Sequence, residues 1–361
     1  MINQELQKRS LPDLLLRADG TRVTDVPGWE AQRAYWRALL LSHEYGQLPP
    51  VVQPAVTVSV NPINFANKVV WETLRFTFSY GSKSHTVPAQ LIYPRGAKGI
   101  PFFVMINFRP DIPDRYLPVE ELIDNGFGII TFCYQDVTSD DGDFSNGLAG
   151  VFSEGERAED SFGKITLWAY MAMRVMDYLE TREEADLHRV AVAGHSRLGK
   201  TALLTAALDQ RFAAAFSIDS GCSGAAISRG TCADGETTAE IFKRFPYWFC
   251  PRYESYVNDP ATLPFDQHAL LSLIAPRVVG VGAADEDHWA DNDSQYLCCA
   301  AASPVWALYG KPGFLAPDRL PAIGDEFTDG NVGFHMRAGA HFFSRTDWLV
   351  YMRSMKKHFA K

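Results

Sequence analysis

A mostly parallel central sheet with helices on both faces, entered through an antiparallel N-terminal part, is the architecture that three features of this sequence predict. Continuous apolar runs at 102–107 and 127–133 read as strands buried on both faces. From residue 100 onward strand-like and helix-like segments alternate, which implies right-handed crossovers between parallel strands. Before residue 100, Leu74, Phe76 and Phe78 alternate with polar residues, as in antiparallel strands with one solvated face. The combination is the α/β-hydrolase pattern, a three-layer sandwich.

Taken in order, residues 1–54 are expected to form a helical extension packed on the domain, with a helix over 29–42 that ends in the turn-rich GQLPP. Strands follow over Ala55–Val60, Val69–Tyr80 and 85–93. Apolar residues at 165, 168, 169, 172, 175, 176 and 179 make one stripe of an amphipathic helix, which is a packing signal and not a cofactor box. Then come a strand over 189–193, a helix over 199–208 and a strand over 213–217. After an irregular region, a strand over 277–281 precedes helices over 295–308 and 346–358. No internal repeat or long linker interrupts the chain, so one domain over 1–361 is expected.

Composition narrows the function. Of 361 residues, 47% are hydrophobic and 21% charged, enough for a large core. Lys plus Arg number 34 against 43 acids, and the net charge of -9 argues against nucleic acid as a partner. An anionic ligand would need a local cation. No apolar run approaches the roughly 20 residues of a membrane span. The N-terminus MINQELQKRSLPDLLL lacks a basic stretch followed by an apolar segment. As written the chain is expected to be cytoplasmic; a leader already removed would make it secreted or periplasmic. Six cysteines without a CxxC pair point to reduced, buried thiols and against a zinc site, with one or two bridges left open.

The chemistry concentrates in Gly194-His195-Ser196-Arg197-Leu198-Gly199-Lys200, between a buried strand and an amphipathic helix. There Ser196 would stand on a sharp turn, with the amide of residue 197 and the helix N-terminus offering positive potential to an oxyanion. The usual GxSxG spacing would put glycine at 198, but Leu198 occupies it and Gly199 takes the next position. A serine nucleophile needs an imidazole base and an orienting acid, in chain order serine, acid, histidine. His341 follows Gly339-Ala340 just before the last helix and is the expected base. His335 reads as a strand residue making a structural hydrogen bond, and His358 as a surface residue. The acid is either Asp219, past the strand over 213–217, or one of Asp285, Glu286, Asp287 and Asp291, past the strand over 277–281. The run from 285 to 293 lacks the glycine and terminal glutamate of a calcium hand, so no metal is expected there.

Together GHSRLGKTALLTAALDQRFAAAFS, DSGCSGAA, GET, FPYWFC, LLSLIAPRVV, ADEDHWAD and GFHMRAGAH resemble the bacterial glucuronoyl esterases of carbohydrate esterase family 15, over roughly residues 85–360. The resemblance implies cleavage of esters between 4-O-methyl-glucuronic acid on xylan and lignin alcohols, without metal or cofactor. It implies Ser196 as nucleophile, His341 as base and Arg197 as oxyanion partner. Lys200 would contact sugar hydroxyls, Glu236 and Trp289 would line the sugar pocket, and Trp248 would add a stacking face. Asp219 falls where many members carry a catalytic glutamate, and Asp287 where bacterial members carry an alternative acid. His195 stands where fungal members have a cysteine, so a disulfide bracing the serine and histidine loops is not available. Competing expectations are an acetyl or feruloyl xylan esterase, a general carboxylesterase, a serine peptidase, or a carbohydrate-binding relative without catalysis.

Overall fold

The structure is a computed structural model, and it describes residues 1–62, 65–232 and 234–360. Ten strands form one sheet: β1 (Ala55–Val60), β2 (Val69–Tyr80), β3 (Lys83–Pro94), β4 (Ile100–Asn107), β5 (Gly128–Cys133), β6 (Ala185–His195), β7 (Ala214–Ile218), β8 (Val278–Ala284), β9 (Glu326–Phe327) and β10 (Val332–Arg337). Their spatial order is β1-β2-β3-β5-β4-β6-β7-β8-β10-β9. From β5 across to β10 neighbours run parallel, whereas β1 to β3 and the edge strand β9 pair antiparallel.

Side-chain periodicity explains the difference. In β2, Leu74, Phe76 and Phe78 face the core while Arg75 is exposed, as the alternation predicted. Every residue of β5, β7 and β8 is buried, because helices cover both faces there. On one face the core includes Trp29, Trp168, Leu203 and Trp306. On the other, Phe103 and Phe216 pack against Trp348 and Tyr351 of the last helix, Arg345–His358. The N-terminal fifty residues dock on the first face, where Trp36 Nε1 donates to the Leu14 carbonyl (3.1 Å) and Arg9 donates to Ser294 Oγ (2.7 Å).

Two helix expectations change. The helix expected over 29–42 spans Val26–Leu40, beginning three residues ahead of Trp29 because Asp25 accepts the Gly28 amide and Pro27 suits a first turn. The segment expected as one helix over 295–308 is two, Asn292–Ala302 and Pro304–Leu308. Asp291 caps the first through the Ser294 amide, and Pro304, lacking an N–H, starts the second. The six cysteines are unbridged; Cys232 is exposed, contrary to the expectation that all would be buried. Among the described residues no helix is long and apolar enough to cross a membrane.

One consequence of the parallel core governs the site. Ser196, Asp219, Asp287 and His341 each follow the C-terminal end of β6, β7, β8 or β10, so parallelism brings four distant stretches of sequence to one edge of the sheet.

Candidate active site

Ser196 sits between β6 and the helix Arg197–Leu208 with φ 58° and ψ −127°, a left-handed conformation that a non-glycine residue holds only when its surroundings enforce it. Its amide donates to the Ile218 carbonyl (2.9 Å), and its carbonyl accepts from Gly199 (2.9 Å) and Lys200 (3.1 Å). The flanking glycines let strand and helix approach. A Cβ on Gly194 would lie 2.1 Å from the Leu198 carbonyl oxygen, and one on Gly199 would lie 2.7 Å from Ser217 Oγ. Close packing of the turn, satisfied at 199, therefore does not need the glycine that GxSxG puts at 198.

The loops after β8 and β10 are laced together. Asp285 donates its amide to the Arg337 carbonyl (3.0 Å), Glu286 to the Gly339 carbonyl (3.1 Å), and Gly339 returns its own to Asp285 Oδ1 (2.7 Å). Arg337 anchors the second loop further, donating to the Ala340 carbonyl (3.2 Å), to the Phe342 carbonyl and to both oxygens of buried Asp347. This lacing presents His341 with Nδ1 2.6 Å from Asp287 Oδ2. Asp287 is buried, whereas the His341 side chain remains 44% exposed and accessible to a substrate.

Asp219, the other candidate acid, is also close but differently engaged. Its Oδ1 accepts the Ala284 amide (2.9 Å) and its Oδ2 the Phe342 amide (3.3 Å), while Arg337 stands 3.7 Å away. Burial, reinforced by the charge of Asp287, pushes its carboxyl up to about 7. Asp285 and Asp291 are spent on loop and helix-cap hydrogen bonds, and Glu286 is exposed. His195, Asp219 and His341 each bring one donor atom within 4.8 Å of the others, the one grouping among the described residues that could hold a cation.

Arg197 points along a wall of aromatic rings, with its guanidinium carbon 4.7 Å from the Trp248 centroid and 5.1 Å from that of Phe245. Asp140 holds it there: the carboxylate accepts from Arg197 Nη1, from Trp248 Nε1 (2.7 Å) and from the Tyr134 hydroxyl (3.0 Å). Trp248 does not offer the stacking face expected of it. It is buried, with Phe245 stacked on it at 3.9 Å and Arg197 lying over the ring. It packs against the arginine and shares Asp140 with it. Asp140 carries no signal in the sequence, because the acidic turn SDDGDFSNG has no periodicity and no fixed spacing from the serine.

Lys200 is buried and donates Nζ to the carbonyls of Ser220 and Cys222, bracing the loop that carries Asp219. Burial draws its pKa down, an effect that nearby Glu236 opposes. Glu236 is buried too; its amide donates to the Trp289 carbonyl (2.9 Å), and burial raises the pKa of its carboxyl. Trp289 is 36% exposed, with Arg244 over its ring at 4.6 Å. Glu236 and Trp289 are thus joined through the backbone, and Glu236 and Lys200 influence one another through charge. His335 is buried, with Nε2 2.7 Å from Asp347 Oδ1, as expected of a structural residue. His358 is half-buried rather than fully exposed, with Nε2 3.2 Å from the Thr328 carbonyl just past β9.

A serine on a strained strand-to-helix turn, at the carboxyl edge of a parallel sheet and beside an imidazole–carboxylate pair, defines an α/β-hydrolase. The family model described as glucuronyl esterase, fungi, matches residues 76–310. A 4-O-methyl-glucuronoyl methylesterase of Schizophyllum commune is 30% identical over 84% of this chain and 74% of its own length. The glucuronoyl esterase structure from Solibacter usitatus superposes with a TM-score of 0.90 at 30% identity, covering 97% of this chain and 98% of that one. A promiscuous esterase of carbohydrate esterase family 15 from a marine bacterial metagenome superposes at 0.86 with 28% identity, covering 97% of each chain. This chain belongs to the glucuronoyl esterase family and is a carboxylic ester hydrolase.

Proposed function

We propose that the chain hydrolyses esters of 4-O-methyl-glucuronic acid through an acyl-enzyme on Ser196. The observation that carries this reading is the His341–Asp287 hydrogen bond of 2.6 Å beside the strained serine turn. With Nδ1–H donated to Asp287, Nε2 is unprotonated and can take the Ser196 proton as Oγ attacks the ester carbonyl. The carbonyl electron pair moves to oxygen, where Arg197 and the amide at 197 neutralise it. On collapse the alcohol departs with the proton from His341, leaving the uronoyl group on Ser196. Water, deprotonated by His341, repeats the sequence and releases the uronic acid.

Lys200, Glu236 and Trp289 are assigned to the sugar. The ester itself is uncharged, so the cations serve the oxyanion and the carboxylate product, while the exposed indole offers an apolar platform for a pyranose face. The relatives' names support a glucuronoyl substrate. The promiscuity of the similar marine esterase supports a second reading, activity on acetylated sugars as well. A panel of benzyl or methyl glucuronate, acetylated and feruloylated sugars, and p-nitrophenyl acetate tests both. Turnover of the uronate esters is expected to dominate and to vanish in Ser196→Ala; turnover of acetyl or feruloyl esters alone would overturn the substrate, and retained turnover in the variant would overturn the nucleophile.

A further inference from the structure

His195 is a buried, titratable residue next to the nucleophile for which the chemistry above has no use. It ends β6, is 3% exposed, and neither ring nitrogen has a hydrogen-bond partner in the protein. Asp219 Oδ2 is 3.6 Å from Nε2, outside hydrogen-bond distance. Burying two unpaired imidazole nitrogens is unfavourable, so polar pairing does not explain the residue. Its ring faces do. The His341 ring lies 4.3 Å from it, Tyr116 stacks at 5.6 Å and 27°, and Phe108 meets it edge-on at 5.9 Å. Tyr116 in turn packs on Phe342 at 5.0 Å, and Trp348 Nε1 fixes its carbonyl at 2.7 Å. A continuous chain of ring contacts therefore joins the residue before Ser196 to His341 and the residue after it.

We propose that His195 is a positioning residue whose ring, serving as an aromatic surface and not as an acid, base or hydrogen-bonding group, sets the distance between the Ser196 turn and the His341 loop. The inference rests on the reading of Ser196 as nucleophile and His341 as base. The charge environment agrees with it. Burial first, and then the charge of His341, hold the imidazole well below its ordinary pKa, against the opposite pull of Asp287 and Asp347. Arg337 acts in the same direction as His341, and the Asp219 carboxyl faces the ring from the end of β7 at 3.6 Å. An uncharged ring can lie against His341 while that base carries a proton.

The test compares wild type with His195→Phe, His195→Ala and His195→Gln on a glucuronate ester, recording kcat, KM, the pH profile and the rate of labelling by a fluorophosphonate probe. His195→Phe keeps the ring without its nitrogens and is expected to hold kcat within about three-fold, with an unchanged pH profile. His195→Gln keeps polarity without the ring and, like His195→Ala, is expected to lower kcat about ten-fold or more while KM moves less than about three-fold. A His195→Phe enzyme that is as slow as His195→Gln, for any reason including failure to fold, overturns the proposal. So do a shifted pH profile in His195→Phe, and wild-type turnover in His195→Ala or His195→Gln. The labelling arm separates the two levels: wild type that resists the probe refutes the Ser196 reading itself, whereas labelled wild type with a slow His195→Phe refutes the positioning role alone.

Discussion

Asp287 Oδ2 lies 2.6 Å from His341 Nδ1, whereas Asp219 commits its two oxygens to the amides of Ala284 and Phe342. Two carboxylates thus converge on one imidazole with different duties, one orienting the ring and the other holding the backbone around it.

Asp287→Asn should therefore cost more than Asp219→Asn. Loss of the orienting carboxylate is expected to lower kcat by about 10³-fold or more, in line with the loss seen when a triad acid becomes an amide, and Asp219→Asn by less than about ten-fold. Steady-state kinetics on one glucuronate ester decides, and the opposite ranking would transfer the orienting role to Asp219.

Stability should depend on pH through Asp219. Its folded pKa of about 7 lies above the ordinary value, so the unfolded chain gives up this proton earlier as pH rises. Stability from this group is complete below about pH 4 and is lost progressively up to about pH 7. The melting temperature of Asp219→Asn relative to wild type is expected to climb between those limits and then level off; a difference that is flat across the range would contradict this.

Asp140→Ala should remove the carboxylate that holds Arg197 over the Trp248 ring. A fall in kcat of about ten- to a hundred-fold, with a smaller change in KM, is expected if the guanidinium acts on the transition state. Arg197→Lys should fall in the same range, because an ammonium cannot reproduce the planar contact with the aromatic wall while reaching Asp140.

Gly194→Ala should destabilise the fold through one backbone contact. A Cβ there meets the Leu198 carbonyl oxygen at 2.1 Å, and backbone cannot swing aside as a side chain can. A loss of about 2 kcal/mol or more by denaturant unfolding is expected. Gly142→Ala, where a Cβ would meet nothing within 4 Å, is the control and should stay within about 0.5 kcal/mol of wild type.

Much of this molecule is written in short-range pattern. Alternation in β2, unbroken apolar runs in β4 and β5, and the stripe from 165 to 179 are local consequences of which faces are buried, so strands and helices could be placed from sequence. The serine turn was legible for the same reason: a buried strand, small residues and an amphipathic helix lie within one short stretch around Ser196. What only the tertiary structure decided is which distant groups meet. Asp219 and Asp287 both follow parallel strands, and their sequence context is equally suited to an acid; loop lacing through Arg337, Gly339 and Asp285 brings Asp287 to His341 Nδ1. Asp140 holding Arg197 across 57 residues of chain, Trp248 buried beneath that arginine, and the ring of His195 set against His341 likewise depend on contacts between distant loops. Periodicity encodes burial along one element, but hydrogen-bond partners and ring contacts between loops are set by where the sheet puts their ends.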